Sequence, residues 1–175
     1  MNEVIKCLTE RRSVRKYQSR QITDEELNAI LLAGEYAPSG MAKQPVVLVA
    51  VQEPETIRTL EKLNARIIGN EELTPFYGAP TVIVVLTDMK NGLTPYEDGV
   101  LAMGNLLNAA HAVGVDSCWV NRAKETFELP EGKELLKKWG LEGEYMGIGN
   151  CILGYRDCEY PKPAPRKDNY AIIIR

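Results

Sequence analysis

Val46-Val47-Leu48-Val49-Ala50-Val51 is the longest uninterrupted apolar run in the chain. It is rich in β-branched residues and lacks polar alternation, so it reads as a short strand covered on both faces. Pro80 to Leu86 repeats that signature. The two are separated by a helical pattern from about Pro54 to Ile68, with Gly69 as its stop. Upstream, Thr23-Asp24-Glu25-Glu26 has the form of a capping box, in which Thr23 accepts from the Glu26 backbone and Glu26 reaches back. The helix it opens carries Leu27, Ile30, Leu31 and Ala33 inward and stops before Pro38. A shorter helix, Asn2 to Arg11, has Val4, Ile5 and Leu8 at helical spacing. Downstream, Tyr96 to Val113 is the longest helix and ends at Gly114; its Ala102, Gly104, Ala109, Ala110 and Ala112 leave room for another helix to approach. Asp116 to Val120 and Tyr145 to Leu153 read as strands, with a helix from Glu131 to Trp139 between them and Gly140 as its stop. The alternation has no repeat and no low-complexity linker, which gives an α+β or α/β class. With 175 residues, 45 % of them hydrophobic, the chain can bury one sizeable core, so residues 1–175 are read as a single domain.

The last segment, Ala171-Ile172-Ile173-Ile174-Arg175, is an apolar β pattern beyond the Pro-rich stretch Pro161-Lys162-Pro163-Ala164-Pro165. Such an arm cannot form helix or central strand, but it gives reach. The segment either closes the chain's own sheet or adds to the sheet edge of a second subunit. Exchange is favoured, because the small-residue helix also wants a partner.

The formal charge is −3, which together with the lack of a basic face interleaved with aromatics argues against nucleic acid as a partner. No apolar run approaches the roughly 18 residues of a membrane span. Met1 to Lys6 lack the basic start and apolar segment of a secretory signal, so the expected location is the cytoplasm. Against this acidic background, Arg11-Arg12-Ser13-Val14-Arg15-Lys16 and, near the other end, Arg166-Lys167 hold six of the 21 Lys and Arg. Arg presents a planar fork of donors matched to phosphate, so converging side chains would clamp one small anion. Taken alone, each cluster reads as well as a solvated surface.

The commonest nucleotide and hydrolytic signatures are missing. There is no G-x-G-x-x-G after a strand and no G-x-x-x-x-G-K-[ST]. His111 is the sole histidine, and Cys7, Cys118, Cys151 and Cys158 have no zinc spacing, so neither a metal site nor a Ser-His-Asp triad is indicated and the thiols are read as reduced and mostly buried. No residue is singled out as catalytic; if the chain is an enzyme, a cofactor carries the reaction. One loop stands out, Ala37-Pro38-Ser39-Gly40-Met41-Ala42-Lys43-Gln44-Pro45, where Ser39, Gly40 and Gln44 offer N–H groups, a hydroxyl and an amide; by itself it is equally an ordinary turn.

Taken in order, Glu10 to Tyr17, Ala37-Pro38-Ser39-Gly40 with Gln44-Pro45, Gly78-Ala79-Pro80, the helix end Asn105 to Gly114 running into Ser117-Cys118-Trp119-Val120, Leu153-Gly154-Tyr155 and Pro163 to Lys167 resemble the nitroreductase family. The likeness extends from about residue 4 to 167 and points to a compact FMN-dependent member. It implies an α/β/α sandwich with a mostly antiparallel central sheet, and a homodimer with two FMN sites at its interface. By position, Arg11, Arg12, Ser13 and Arg15 resemble the first phosphate and flavin group, with Arg15 near the N1/C2 edge, and Arg166 and Lys167 the second. Pro38, Ser39, Gly40, Met41 and Gln44 resemble the segment given by the other subunit. Trp119, Val120 and Asn121 resemble the strand end beside the ring and its N5 atom.

The resemblance implies an oxidoreductase that takes hydride from NADH or NADPH onto FMN and returns the electrons to a nitroaromatic, quinone or similar acceptor, in ping-pong order. The alternatives are a specialised flavoenzyme of the same superfamily, such as a dehalogenase, flavin-fragmenting enzyme or azoline dehydrogenase, or a flavin store without turnover. Two departures bear on the pocket. Met41 and Ala42 stand where the family loop has Gly and Asn, and Asn121 stands where larger members place an acidic residue. A lid, if there is one, falls to residues around Glu71 to Tyr77 and Pro95 to Asp98.

Overall fold

In the computed structural model, which describes residues 1–175, four strands form one antiparallel sheet. They are β1 (Val46–Val51), β2 (Thr81–Asp88), β3 (Asp116–Val120) and β4 (Tyr145–Gly154), in the order β1-β2-β4-β3. Six α-helices flank them: α1 (Glu3–Glu10), α2 (Asp24–Glu35), α3 (Pro54–Ile68), α4 (Pro95–Ala112), α5 (Ala123–Glu128) and α6 (Pro130–Lys138). The central strand β2 shows why the fold has three layers. Val82, Val84 and Leu86 enter one core with Leu60, Phe76, Phe127 and Leu136, from α3, α5 and α6 and the loop before β2. Ile83 and Val85 enter the other with Ile30, Met103 and Leu106, from α2 and α4. A strand of period two whose every residue from Thr81 to Thr87 is buried can only lie between two helical layers.

The capping box at Thr23 is formed in both directions, with the Glu26 N–H donating to Thr23 Oγ1 at 3.2 Å and the Thr23 N–H to Glu26 Oε2 at 2.8 Å. Gly69 ends α3 with φ of 87°, the left-handed turn that only glycine adopts without cost. Helix α5 is an element the periodicity did not indicate. Leu129 alone separates it from α6; the residue before Pro130 is forced extended, and one break makes two helices.

One expectation needs correction, and one of two alternatives falls away. The run Val46–Val51 is a strand, but it is not covered on both faces: Val51 alone is buried, Val46 to Val49 are half-buried and Ala50 is exposed. Its position explains this, since β1 is a sheet edge paired only to β2. Ala171–Arg175 forms no strand within the chain and does not close its own sheet; Ile172, Ile173 and Ile174 are 80 %, 74 % and 88 % exposed. The opposite edge is lined differently. After α1 the chain runs along β3, where Ser13 bridges Ser117 in parallel and the Val14 N–H donates to the Ser117 carbonyl at 3.0 Å.

No helix is long and apolar enough to cross a membrane. An apolar face is nevertheless open. Val4, Ile5 and Leu8 of α1, Leu32 of α2, Tyr36 just beyond it, and Leu101 of α4 are all exposed, and a cleft of about 530 Å³ lies between these helices. Ala109 and Ala112 line that cleft, whereas Ala102 and Ala110 are buried against the sheet.

Candidate functional site

The segment from Arg11 to Arg15 is held at the β3 edge by the Ser13–Ser117 bridge and by Val14, which is fully buried in the core. This anchoring fixes the backbone while leaving the polar side chains on either side of it to act. Arg11 is half-buried, and its Nη1 is shielded from solvent without a hydrogen-bond partner. A buried guanidinium donor with nothing to bind is costly, and an anionic oxygen is the acceptor that matches it best. Arg11 lies near enough to Cys151 to oppose a rise in its thiol pKa, but burial, helped by the Cys118 thiol, pushes that thiol well up and keeps it neutral.

Arg12 is tied within the chain by its Nη1 and leaves its buried Nε without a partner. Its Nη1 donates to the Thr9 and Arg11 carbonyls at 2.8 and 2.7 Å, closing the C-terminal end of α1, where a cation also meets the helix dipole favourably. Its backbone N–H donates to Tyr160 Oη at 2.9 Å, and that hydroxyl donates to the Glu10 carbonyl at 3.1 Å. Tyr160 also stacks on His111 and lies under Arg156, so it pins the start of the C-terminal arm beside the basic segment.

Arg15 is exposed and lines a cavity of about 270 Å³ with Asn64, Tyr77, Trp119, Val120 and Asn121. Here three of the expected residues meet the first basic group. The Trp119 indole packs over Gly149 of β4, and its Nε1 is buried without a partner. Beyond β3 the chain turns sharply at Arg122, which has φ of 77°. Three successive carbonyls of this turn are tied to buried side chains: Val120 to Asn150 Nδ2 at 3.5 Å, Asn121 to Asn64 Nδ2 at 2.6 Å, and Arg122 to Thr126 Oγ1 at 2.8 Å. The first of these is long. The N–H groups of Asn121 and Arg122 make no hydrogen bond within the chain. Of the two segments expected to cover the site, that around Glu71 to Tyr77 supplies Pro75 and Tyr77 to this cavity.

The loop after α2 is elsewhere. Pro38, Ser39 and Gln44 line a separate cleft of about 330 Å³ with Leu31, Gly34 and Val46. Ser39 Oγ accepts the Gln44 N–H at 3.0 Å, and the Gly40 N–H donates to Asp98 Oδ1 at 3.0 Å, which Thr94 Oγ1 also reaches at 3.0 Å. A Cβ at Gly40 would lie 2.6 Å from Thr94 Oγ1, so the glycine permits this close seat against α4. Met41, Ala42 and Gln44 all have positive φ, of 49°, 54° and 50°. Three such non-glycine residues in one loop store strain of the kind that gathers at ligand sites. The other covering segment, Pro95 to Asp98, is the start of α4; Asp98 meets Gly40, but none of the four residues lines either cleft.

Within one chain, therefore, the Arg15–Asn121 cavity and the Ser39–Gln44 loop belong to two separate clefts. Arg166 and Lys167 join neither: both are exposed, and Lys167 Nζ lies 5.4 Å from the Tyr170 ring centre. Asn64, Asn150 and Tyr160 were not expected from sequence, and Asp98 was expected only as part of a covering segment. A Tyr directly before the Pro-rich arm was the one signal available among them.

A family profile described as Nitroreductase family matches residues 8–72. A crystal structure of a nitroreductase with bound FMN from Bacteroides fragilis is 31 % identical, covers 100 % of both chains and superposes with a TM-score of 0.91. Another, a nitroreductase with bound FMN from Desulfitobacterium hafniense, is 27 % identical over 99 % of this chain and 100 % of that one, at a TM-score of 0.87. An Archaeoglobus fulgidus protein provisionally named NADH dehydrogenase/NAD(P)H nitroreductase is 31 % identical over 174 residues, 97 % of this chain and 91 % of that protein.

Proposed function

The chain belongs to the nitroreductase family, and from that premise we propose that it is an FMN-dependent NAD(P)H oxidoreductase working as a homodimer. The observation that carries this reading is the solvent-shielded, unpartnered Nη1 of Arg11 on the same anchored segment as Arg15, which lines a cavity with Trp119 and Asn121. A phosphate for the first and a flat, hydrogen-bonding ring system for the second is what FMN offers. The residues fit that group.

Bound FMN would supply hydride chemistry, from NADH or NADPH to a nitroaromatic, quinone or similar acceptor. Arg11 would neutralise its phosphate, with Ser13 beside it and Arg166 and Lys167 brought in by the arm that begins at Tyr160. Arg15 would favour negative charge at the ring edge it faces. Trp119 and Val120 would form the floor, while Pro75 and Tyr77 would limit water. Pro38, Ser39, Gly40, Met41 and Gln44 would complete the site from the second subunit. The separate clefts support this division, as does the exposed apolar face of α1, α2 and α4. The unpaired edge of β1 and the uncovered Ile172 to Ile174 support an exchange of the C-terminal strand between subunits.

The test is an absorbance spectrum of the purified protein before and after anaerobic addition of NADH and, separately, NADPH. A flavin band near ~450 nm that bleaches with one of them is the expected result. A band that persists with both would instead favour a specialised flavoenzyme or a flavin store. Failure to take up FMN would remove the flavin reading altogether.

A further inference from the structure

At the turn after β3, free N–H groups are expected because Arg122 caps α5, but the inward tie of the Asn121 carbonyl to a buried side chain of α3 is not part of that helix start. The carbonyls of Val120, Asn121 and Arg122 accept from Asn150, Asn64 and Thr126, side chains that are 2 %, 0 % and 2 % exposed, whereas the Asn121 and Arg122 N–H groups are free. Asn64 makes the shortest of these bonds, 2.6 Å, from inside α3. Its amide orientation is settled by that contact, because the flipped form would set two carbonyl oxygens against each other. The Asn121–Arg122 peptide is trans, so its N–H points opposite to its carbonyl. A carbonyl drawn inward to Asn64 therefore holds the Arg122 N–H outward. Arg122 sits at φ of 77°, a conformation that persists only where its surroundings over-determine it.

Building on the flavin reading above, we propose that Asn64 is a positioning residue: its buried carboxamide fixes the Asn121–Arg122 peptide so that the free N–H of Arg122 is presented to the FMN ring. Asn64 also lines the cavity, and its Oδ1 is buried without a partner, but the role proposed here is exercised through the peptide. Donors preset in this way favour the ring as it gains electrons, without reorganisation when it does.

The experiment compares Asn64→Leu with Leu63→Ala, a buried truncation on the same helix that leaves the turn untouched. In the apoprotein, exchange of the Thr126 amide, which donates to the Arg122 carbonyl at 2.9 Å, should quicken at least about tenfold relative to β2 amides in Asn64→Leu but not in Leu63→Ala. With FMN bound, Asn64→Leu should lose about tenfold of the preference for reduced over oxidised FMN, a fall of about 30 mV in a two-electron midpoint potential. Leu63→Ala should keep the wild-type potential. If Asn64→Leu does not fold, the smaller Asn64→Ser is measured in its place against the same two expectations. An FMN-loaded Asn64 variant with wild-type potential overturns this inference and leaves the flavin reading intact. Wild-type protein that takes up no FMN overturns both.

Discussion

The Trp119 indole occupies the space that a side chain at position 149 would need: a Cβ built on Gly149 would lie 2.9 Å from Trp119 Cε2 and 3.0 Å from Met103 Cε. Glycine on β4 is thus what lets the indole lie against the sheet beside Met103 of α4. Gly149→Ala should cost roughly 1–3 kcal/mol through overpacking and displace the indole. Chemical denaturation should show the loss, and a shift in tryptophan emission should accompany it in the folded protein. An alanine variant with wild-type stability and emission would mean that the indole has another seat.

The two neighbouring arginines should behave differently. Arg11 Nη1 and Arg12 Nε are both buried without a partner, but Arg12 is held by its Nη1 on the Thr9 and Arg11 carbonyls, whereas the Arg11 guanidinium makes no hydrogen bond within the chain. A hydrogen bond to a charged group contributes about 1.5–3 kcal/mol, so Arg11→Ala should weaken FMN binding by roughly one to two powers of ten. Arg12→Ala should instead fall mainly on stability, by about 1 kcal/mol, through the lost closure of α1. Fluorescence titration of FMN with each apoprotein, paired with urea denaturation, separates the two. Equal losses of FMN affinity in both variants would contradict the division.

How far the sequence could be read depended on whether a residue's cover comes from nearby in the chain. The strand read over Pro80 to Leu86, and found at Thr81–Asp88, was legible because its apolar run is buried by the chain's own helices on both faces. Val46 to Val51 has equal apolarity but lies at an edge, and composition does not say that its remaining cover must come from elsewhere. Arg11, Arg15 and Trp119 stood out as motif residues. Asn64 could not, because a single Asn between Leu63 and Ala65 has no periodic signature and its partner is 57 residues away. The Asp98 bond to the Gly40 N–H spans 58 residues and was equally hidden.

Acid should loosen the entrance to α2. Burial by itself would raise the Glu26 carboxyl, but the Tyr155 hydroxyl at 2.6 Å and the Thr23 backbone and hydroxyl outweigh it and hold the carboxyl below its ordinary value. A carboxyl depressed by folding gives stability that is present above the unfolded glutamate pKa of roughly 4.3 and lost as pH falls through the lower folded value. Tyr155 is raised, chiefly by donating to Glu26, so its share is present below the unfolded tyrosine value and lost as pH rises. The pair is partly exposed, so the effect should stay below about 1 kcal/mol. Urea midpoints of wild type and Tyr155→Phe at pH 7 and pH 3.5 should lie closer together at the lower pH. A constant gap would detach Glu26 from this role.

The C-terminal arm makes the sharpest prediction about assembly. Ile172, Ile173 and Ile174 are exposed and unpaired, β1 has an edge without a neighbour, and an exposed apolar strand with a free edge is a liability that an obligate partner removes. Removing residues 171–175 takes away no contact made inside the subunit's two cores. Far-ultraviolet circular dichroism should therefore stay close to wild type, while sedimentation shows the dimer dissociating at concentrations at which the full chain remains paired. Ile173→Lys should act in the same direction and more weakly, because it keeps the backbone pairing and loses the apolar contact. On the proposed division of the site between subunits, FMN affinity should fall along with the dimer fraction, since Ser39 and Gln44 line a cleft separate from that of Arg15 and Trp119. A truncated chain that stays dimeric and holds FMN as tightly as the full one would show that α1, α2 and α4 alone make the interface and that the arm has no part in it.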